Sequence, residues 1–289
     1  MRLRIQTLRY FAVLALPMND VSSEKIKLRN GTEVPVLGFG TFKISNEDVY
    51  QIVLDALNVG YRHIDTAAYY GNEEGIGRAI RDSGIPPEDI FVTSKVWYSE
   101  DGYDETIKAF EKSESLLGKI DLYLIHWPRG KNRIEMWRAL EHLEKEGRIK
   151  AAGVSNYMER HLEEIERHGM NMPAADQVEF SPFLYKKGLL EYCRSKHIVL
   201  EAYSPLTRGT RLNDSVVSEI AQEYNKTPAQ ILLRWVVQKD MMLIAKTTSK
   251  ERMKENSDIF NFVISPENMD RLDSLNEDYH TTWNPEEIE

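Results

Sequence analysis

Cysteine occurs once in the 289 residues, at Cys193. A single thiol closes no internal disulfide and builds no cysteine cluster for zinc, which fits a reducing, cytoplasmic setting. A basic block is also missing: 46 acidic residues outweigh 37 basic ones, for a formal charge of −9. With no concentrated positive charge to neutralise phosphates, neither a nucleic acid nor an anionic membrane surface is expected as partner. No low-complexity linker or exact repeat interrupts the chain, and no His-Glu-x-x-His pair or other metal-ligand cluster is present, so no metal is expected. Two stretches, Gly38-Phe-Gly-Thr-Phe-Lys43 and Gly75-Ile-Gly-Arg-Ala-Ile80, begin like a dinucleotide-binding fingerprint but lack its third glycine. A Rossmann reading is therefore poor.

At the N-terminus, Arg2, Arg4 and Arg9 precede the apolar run Tyr10 to Leu16, a loose likeness to a signal peptide. The run is too short to span a bilayer, and no small-x-small cleavage site follows Pro17. Residues 1–17 are expected to be a non-essential extension with Met18 as the functional start, and residues 18–289 a single domain.

What the chain does contain is an alternation of short β-like runs and amphipathic stretches. Ile26 to Leu28 and Val34 to Val36, around the turn pair Asn30-Gly31, predict a hairpin. Eight further runs begin at Val36, Tyr61, Ile90, Leu122, Ile149, Ala174, Ile198 and Met241. Between them lie segments of helical period, such as Ile134, Trp137, Leu140 and Leu143 along 132–146 with Gly147 as a stop. Asn46 is expected to cap one helix, and Thr227-Pro228 to open another that ends near Lys239. Eight right-handed β/α units close most naturally into a (β/α)8 TIM barrel with a short N-terminal hairpin; an open doubly wound sheet is the alternative.

In such a barrel the active site lies at the C-terminal ends of the strands. The polar residues expected just past the runs are Asp65, Lys95, His126-Trp127, Ser155-Asn156, Gln177, Tyr203-Ser204 and Lys246. One polar group per β/α unit is the phase that convergence on a common mouth requires. Asp65 and Lys95 at the ends of apolar runs should pair, because an isolated buried charge is costly. A structural salt bridge beside a core histidine explains that pattern equally well. Tyr70, in the loop after Asp65, shifts the balance: a phenol near an ammonium is expected to have a lowered pKa and to serve as a general acid for a carbonyl oxygen.

The stretches Gly60-Tyr-Arg-His-Ile-Asp-Thr-Ala-Ala-Tyr-Tyr-Gly-Asn-Glu73, Thr93-Ser-Lys-Val-Trp97, Leu124-Ile-His-Trp-Pro128, Gly153-Val-Ser-Asn-Tyr157, Gln177-Val-Glu-Phe180, Ala202-Tyr-Ser-Pro-Leu206 and Ala245-Lys-Thr-Thr-Ser-Lys-Glu-Arg-Met-Lys-Glu-Asn256 closely resemble the aldo-keto reductases. The resemblance runs from about Ile26 to the C-terminus and keeps the order of all these motifs. It implies an NADPH-dependent reductase of aldehydes or ketones with a tetrad of Asp65, Tyr70, Lys95 and His126. In that reading Tyr70 donates the proton, Lys95 held by Asp65 acts on it, and His126 orients the carbonyl. Tyr70 matches the family position because it directly precedes Gly71-Asn-Glu73, whereas Tyr69 is read as a packing or rim residue.

The resemblance also implies that Ser155, Asn156 and Gln177 hold the carboxamide of the nicotinamide and that Tyr203 stacks on its ring. Asp65 is carried over as a cofactor-site residue as well as a catalytic one. Ser204 and Leu206 would follow the pyrophosphate and Thr41 the ribose. Lys246, Thr247, Thr248 and Arg252 would meet the 2′-phosphate of NADPH, with Glu255 and Asn256 near the adenine. Phe42, Trp97, His126 and Trp127 would line the substrate pocket.

Three positions depart from the family pattern: Phe42 stands in place of a frequent tryptophan, Asp176 of an asparagine, and Ala245 of a proline, each with a possible effect on affinity. The short segment Arg129 to Arg133 resembles the prokaryotic, short-loop branch that includes diketogluconate-reductase-like enzymes, and the tail from Asn276, with His280 and Trp283, is expected to close one wall. The family resemblance also implies a monomer. Two further readings use the same fold: a non-catalytic nicotinamide-binding subunit or structural protein, and an alcohol dehydrogenase running in the oxidative direction.

Overall fold

The computed structural model describes residues 24–288; the expected extension over 1–17 and the start at Met18 lie outside the described residues. A hairpin of β1 (Lys25–Lys27) and β2 (Glu33–Pro35) comes first. Its reversal depends on Gly31, whose φ of 91° is natural to glycine and strained in other residues. Asn30 steadies the turn, its Oδ1 accepting from the Thr32 N–H at 3.1 Å.

Eight parallel strands then close a barrel: β3 (Leu37–Gly40), β4 (His63–Asp65), β5 (Phe91–Val96), β6 (Leu122–Ile125), β7 (Ala151–Ser155), β8 (Ala175–Glu179), β9 (Val199–Tyr203) and β10 (Met242–Ala245). β10 pairs with β3 to complete the ring. Leu28 and Val34 of the hairpin region pack with Phe91, Leu122, Ala151, Ala175 and Met242, the first residues of five strands, and so plug the N-terminal end of the barrel. The opposite end is left to the loops that follow the strands.

Helices α1 (Asn46–Val59), α2 (Glu73–Asp82), α3 (Tyr103–Leu117), α4 (Arg133–Lys145), α5 (Glu159–Arg167) and α6 (Lys187–Ser195) each join one strand to the next. Two helices, α7 (Ser215–Glu223) and α8 (Pro228–Val237), join β9 to β10, and α9 (Lys250–Ser257) and α10 (Pro266–Asp273) follow. The α4 stripe is as its period predicts: Trp137, Leu140 and Leu143 are fully buried. Thr227 caps α8 in a capping box with Gln230, and Pro228 stands at its start. The cap of α1 is Ser45, whose hydroxyl accepts from the Asp48 N–H; Asn46 already belongs to the helix, and its Oδ1 instead accepts from the Gly75 N–H at 2.9 Å.

Several strands end one or more residues later than apolar runs imply. Asp65, Lys95, Ser155 and Gln177 lie within their strands and not beyond them, because the barrel interior there is polar and satisfied by hydrogen bonds. The two glycine pairs that imitate a fingerprint have packing roles. A Cβ on Gly38 would collide with Ile244 and crowd the His63 ring, and one on Gly77 would strike the Leu116 carbonyl.

The alternation of β8 settles the direction of Asp176. Its neighbour Gln177 bonds Asp65 inside the barrel, so Asp176 points outward into the helical layer, toward Tyr157 and Cys193. It therefore does not face the mouth, and an effect on cofactor contacts has no route through direct touch. Asp176 is fully buried, and its carboxyl oxygens lack a hydrogen-bond partner among the described residues. Burial pushes its pKa well above the ordinary value. Because the folded-state pKa is raised, stability is lost as pH climbs through the unfolded-state value of about 3.9, and the cost persists at neutrality. Asp176→Asn is predicted to raise Tm at neutral pH by a few degrees, following about 2–4 °C per kcal/mol for a domain of this class, with a smaller gain near pH 4. Thermal unfolding at both pH values checks this; an equal or negative shift at neutrality contradicts it.

Candidate active site

The C-terminal ends of β4 and β5 bring Asp65 and Lys95 together. Lys95 Nζ donates to Asp65 Oδ2 at 2.7 Å and to the Thr66 carbonyl at 2.8 Å, with the lysine side chain wholly buried. Thr41 braces the same turn: its hydroxyl donates to the Asp65 carbonyl oxygen at 2.9 Å, and it is itself buried. Burying one charge alone would be prohibitive, so this pair stands or falls together.

Tyr70 ends the 3-10 turn Ala68–Tyr70, with Gly71 in the left-handed conformation behind it. Lys95 Nζ lies 5.2 Å from the centre of its ring, and the His126 ring 5.6 Å away in an edge-on arrangement. The four expected residues thus converge from β4, the following turn, β5 and the end of β6. The electrostatics differ from the expectation of a lowered phenol pKa. Desolvation, and after it the Asp65 carboxylate, hold the Tyr70 pKa well above the ordinary value, because the lysine charge is largely balanced by its carboxylate partner. Tyr70 is therefore fully protonated at neutral pH. Burial and the nearby Lys95 keep His126 neutral, its pKa pushed well below the usual range. Its Nδ1 is buried without a hydrogen-bond partner. An orphaned acceptor costs less than an orphaned N–H, which places the ring proton on Nε2.

Behind this group runs a continuous hydrogen-bond network. Ser155 Oγ donates to the Gln177 carbonyl at 2.8 Å, Asn156 Nδ2 donates to the His126 carbonyl and to Ser155 Oγ at 3.0 Å each, and the Tyr203 hydroxyl donates to Asn156 Oδ1 at 2.8 Å. Asn156 and Ser204 hold positive φ values of 64° and 51°, unusual for residues with a Cβ and typical of functional loops. Gln177 Nε2 is spent on two carboxylates, Asp65 Oδ2 and Glu201 Oε2, at 2.7 Å each, which leaves its Oε1 for any further partner. Asn156 likewise has both ends of its amide engaged.

Across the mouth, Phe42 lies 5.0 Å from the Tyr70 ring and Trp97 lies 5.0 Å from His126. Tyr69 stacks on Trp97 at 3.9 Å and is exposed, a rim position as expected. Trp127 is buried and meets Trp283 of the tail at 5.6 Å. The tail is tied down by the Thr281 N–H, which donates to Glu179 Oε1 at 2.8 Å, and its Trp283 ring lies 4.7 Å from the Arg129 guanidinium. The expected wall from the C-terminal tail is present.

Farther along the rim, Lys246 and Arg252 are exposed and flank the start of α9, whose cap is Ser249. Among the described residues neither cation is held in an ion pair. Thr248 is exposed beside them and Leu206 half-buried near Tyr203, while Thr247 Oγ1 accepts from the Ser249 N–H at 3.1 Å. Asn256 is buried, and Glu255 accepts from the Thr227 hydroxyl at 2.6 Å. No cluster of metal-ligating side chains occurs among the described residues, nor is any helix there long and apolar enough to cross a membrane. Sequence reasoning missed His63 and Glu201, buried beneath the tetrad. The signal that marked Asp65, an ionisable residue inside an apolar β-run, marks both of them equally.

Comparison with known proteins places this geometry. The model of the aldo/keto reductase family matches residues 36–277. The chain is 47% identical over 268 residues to the glyoxal reductase of Bacillus subtilis (strain 168), covering 92% of this chain and 97% of that one. The crystal structure of an aldo-keto reductase from a Medee basin deep-sea metagenome library superposes with a TM-score of 0.88 at 40% identity, over 92% of this chain and 100% of that one. That of a Gox0644 mutant in complex with NADPH superposes with a TM-score of 0.87 at 34% identity, over 92% of this chain and 98% of that one.

The buried pair makes a prediction that needs no substrate. Lys95→Met strands the Asp65 charge and should cost about 3–5 kcal/mol, whereas adding Asp65→Asn to it should recover much of the loss. Urea unfolding of the two single variants and the double variant checks this; strictly additive losses contradict it.

Proposed function

The chain belongs to the aldo/keto reductase family, and from that premise we propose that it is an NADPH-dependent oxidoreductase that reduces small aldehydes or ketones to alcohols. The observation that carries the reading is the convergence of Tyr70, Lys95, Asp65 and His126 at the open end of the barrel, with Tyr70 protonated and His126 neutral at working pH. Supporting context comes from the relatives named above, one of them called a glyoxal reductase and another crystallised with NADPH.

In this reading His126 Nε2–H donates to the carbonyl oxygen and orients it. Tyr70 gives its proton to that oxygen as negative charge develops there. A raised phenol pKa is compatible with this role, since an alkoxide is a far stronger base than a phenolate, and a general acid must first be protonated. Lys95 and Asp65 are the positioning pair beneath Tyr70. The aromatic surfaces of Phe42, Trp97 and Trp127 exclude water and favour apolar or flat carbonyl compounds.

The residues present fit a nicotinamide dinucleotide phosphate. NADPH, when bound, supplies the hydride. The Tyr203 ring, fixed through its hydroxyl to Asn156, would stack on the nicotinamide, and Gln177 Oε1 would take an amide N–H, with Ser155 and Asn156 shaping that wall. The backbone at Ser204 and Leu206 would follow the pyrophosphate, with Thr41 bracing the turn nearest the ribose. Lys246 and Arg252, with Thr247, Thr248 and the start of α9, would meet the 2′-phosphate, a helix N-terminus with flanking cations being a natural anion site. Glu255 and Asn256 would lie near the adenine. We place residues 18–289 in one catalytic domain acting as a cytosolic monomer.

Tyr70→Phe should bind NADPH within about twofold of the parent and lose about 10²–10⁴-fold in turnover. Cofactor fluorescence and NADPH absorbance with a panel of aldehydes and ketones measure both, and retained turnover removes Tyr70 from the role. In a separate test, Lys246→Ala with Arg252→Ala should weaken NADPH binding at least about tenfold, as loss of charge-assisted contacts implies, while NADH binding changes little. Equal losses for the two cofactors would show the phosphate site to be misassigned.

A further inference from the structure

Glu201, at the centre of β9, is fully buried inside the barrel and has no part in the chemistry above. Its Oε2 accepts from Gln177 Nε2 at 2.7 Å, and the same amide nitrogen donates to Asp65 Oδ2 at 2.7 Å, so one side chain ties Glu201 to the ion pair under Tyr70. Its Oε1 has no hydrogen-bond partner among the described residues. Beside it stands His63, with Nε2 at 3.9 Å.

His63 does not serve as a counter-cation. Its Nδ1 lies 3.3 Å from the Pro35 carbonyl oxygen, which can only accept, so the ring proton sits there. Nε2, 2.9 Å from the Thr93 hydroxyl, then accepts, and the ring is neutral. Burial, pushing the His63 pKa down to about 4, acts in the same direction. The other ionisable groups acting on Glu201 are Asp65 from β4 and Lys95 from β5. Lys95 is already bound to Asp65. The flanking strands bring Gln177 and Met242 level with Glu201, and neither titrates. Other buried strand residues, among them Gly38, Leu122, Leu124, Ala151, Gly153 and Ile244, are apolar or glycine and do not titrate.

A carboxylate here would be desolvated, short of a cation and linked through one amide to another carboxylate. We propose that Glu201 is a positioning residue held as the neutral acid, and that loss of its proton adds a second negative charge beneath Tyr70, slows proton donation and sets the alkaline limit of reduction. The proposal rests on the reading of Tyr70 as the proton donor. The neutral acid leaves the Asp65 and Lys95 charges balanced and the Gln177 amide shared between its two acceptors. The ionised form draws on the same amide and on the Lys95 charge, and raises the proton affinity of Tyr70 as the Asp65 carboxylate already does. Burial and Asp65 push the Glu201 pKa up to about 8, so the change falls within reach of ordinary assays.

Two readouts on the full-length enzyme and its Glu201→Gln variant test this. Infrared difference spectra of the wild type should show a carboxylic-acid C=O band at neutral pH that disappears on alkaline titration and is missing from the variant, in which any band of the buried Asp176 remains. The kcat for carbonyl reduction should fall about tenfold between about pH 7 and about pH 9 in the wild type, and the ratio of the two rates should approach one in the variant. Absence of the band, or the same alkaline limb in both proteins, overturns the proposal. Absence of turnover in both, with the infrared titration as expected, overturns the reductase reading and leaves the neutral-acid assignment standing.

Discussion

The buried ion pair of Asp65 and Lys95 is the constraint around which the open end of this barrel is arranged. Its 2.7 Å contact lies where water does not compensate either charge, so each partner needs every remaining hydrogen-bond valence filled. Thr66 offers a carbonyl to the ammonium and Gln177 an N–H to the carboxylate. Thr41 closes the turn from the far side. Each of these residues belongs to a different strand or loop, which couples the register of the strands to the placement of the pair. Such a network is expensive to break and poorly replaced by apolar packing in pieces, and that gives the site its rigidity.

Charge balance extends the same logic. The barrel interior contains Glu201 and His63 as well as the pair, and both are neutral, one as an acid and one as an imidazole. His126 is also neutral, under the influence of Lys95. Among these groups, Asp65 and Lys95 are the ones that carry charge at neutral pH, and Tyr70 sits directly above them. The phenol is consequently an acid stored in its protonated form, awaiting a strong base.

Much of this was legible in the sequence. The barrel followed from eight β-like runs alternating with helical stretches, and the four tetrad residues from one polar group per unit together with the family motifs. The strand ends were less legible, because Asp65, Lys95 and Ser155 read as lying beyond their strands when apolar character defines a strand, although satisfied polar groups inside the barrel continue the ladder. Asn46 read as a cap because it precedes two acidic residues; the hydroxyl of Ser45 takes that role and frees Asn46 to hold α2. The lowered pKa expected of Tyr70 failed for a different reason: the pairing of Asp65 with Lys95 was legible, but the desolvation of the phenol and the extent to which the carboxylate offsets the lysine depend on the folded geometry. Glu201 escaped notice because it lies inside its β-like run, between Leu200 and Ala202, and not at the run's end where the site residues of a barrel are expected. Asp176 shows the converse, a polar residue beside a site residue that the strand's alternation turns away from the mouth.

The claim that the ion pair governs Tyr70 is tested most directly by titrating that phenol. Nuclear magnetic resonance of protein labelled at the tyrosine ring carbon bearing the hydroxyl, with the Tyr70 signal assigned by its absence from Tyr70→Phe, follows its ionisation in the wild type and in Asp65→Asn. The expected result is a wild-type Tyr70 that stays protonated beyond the ordinary tyrosine value of about 10, and one that ionises at lower pH once the Asp65 charge is removed and Lys95 is left uncompensated. A Tyr70 that ionises at the ordinary value, or whose titration does not respond to the loss of the Asp65 charge, would contradict the account.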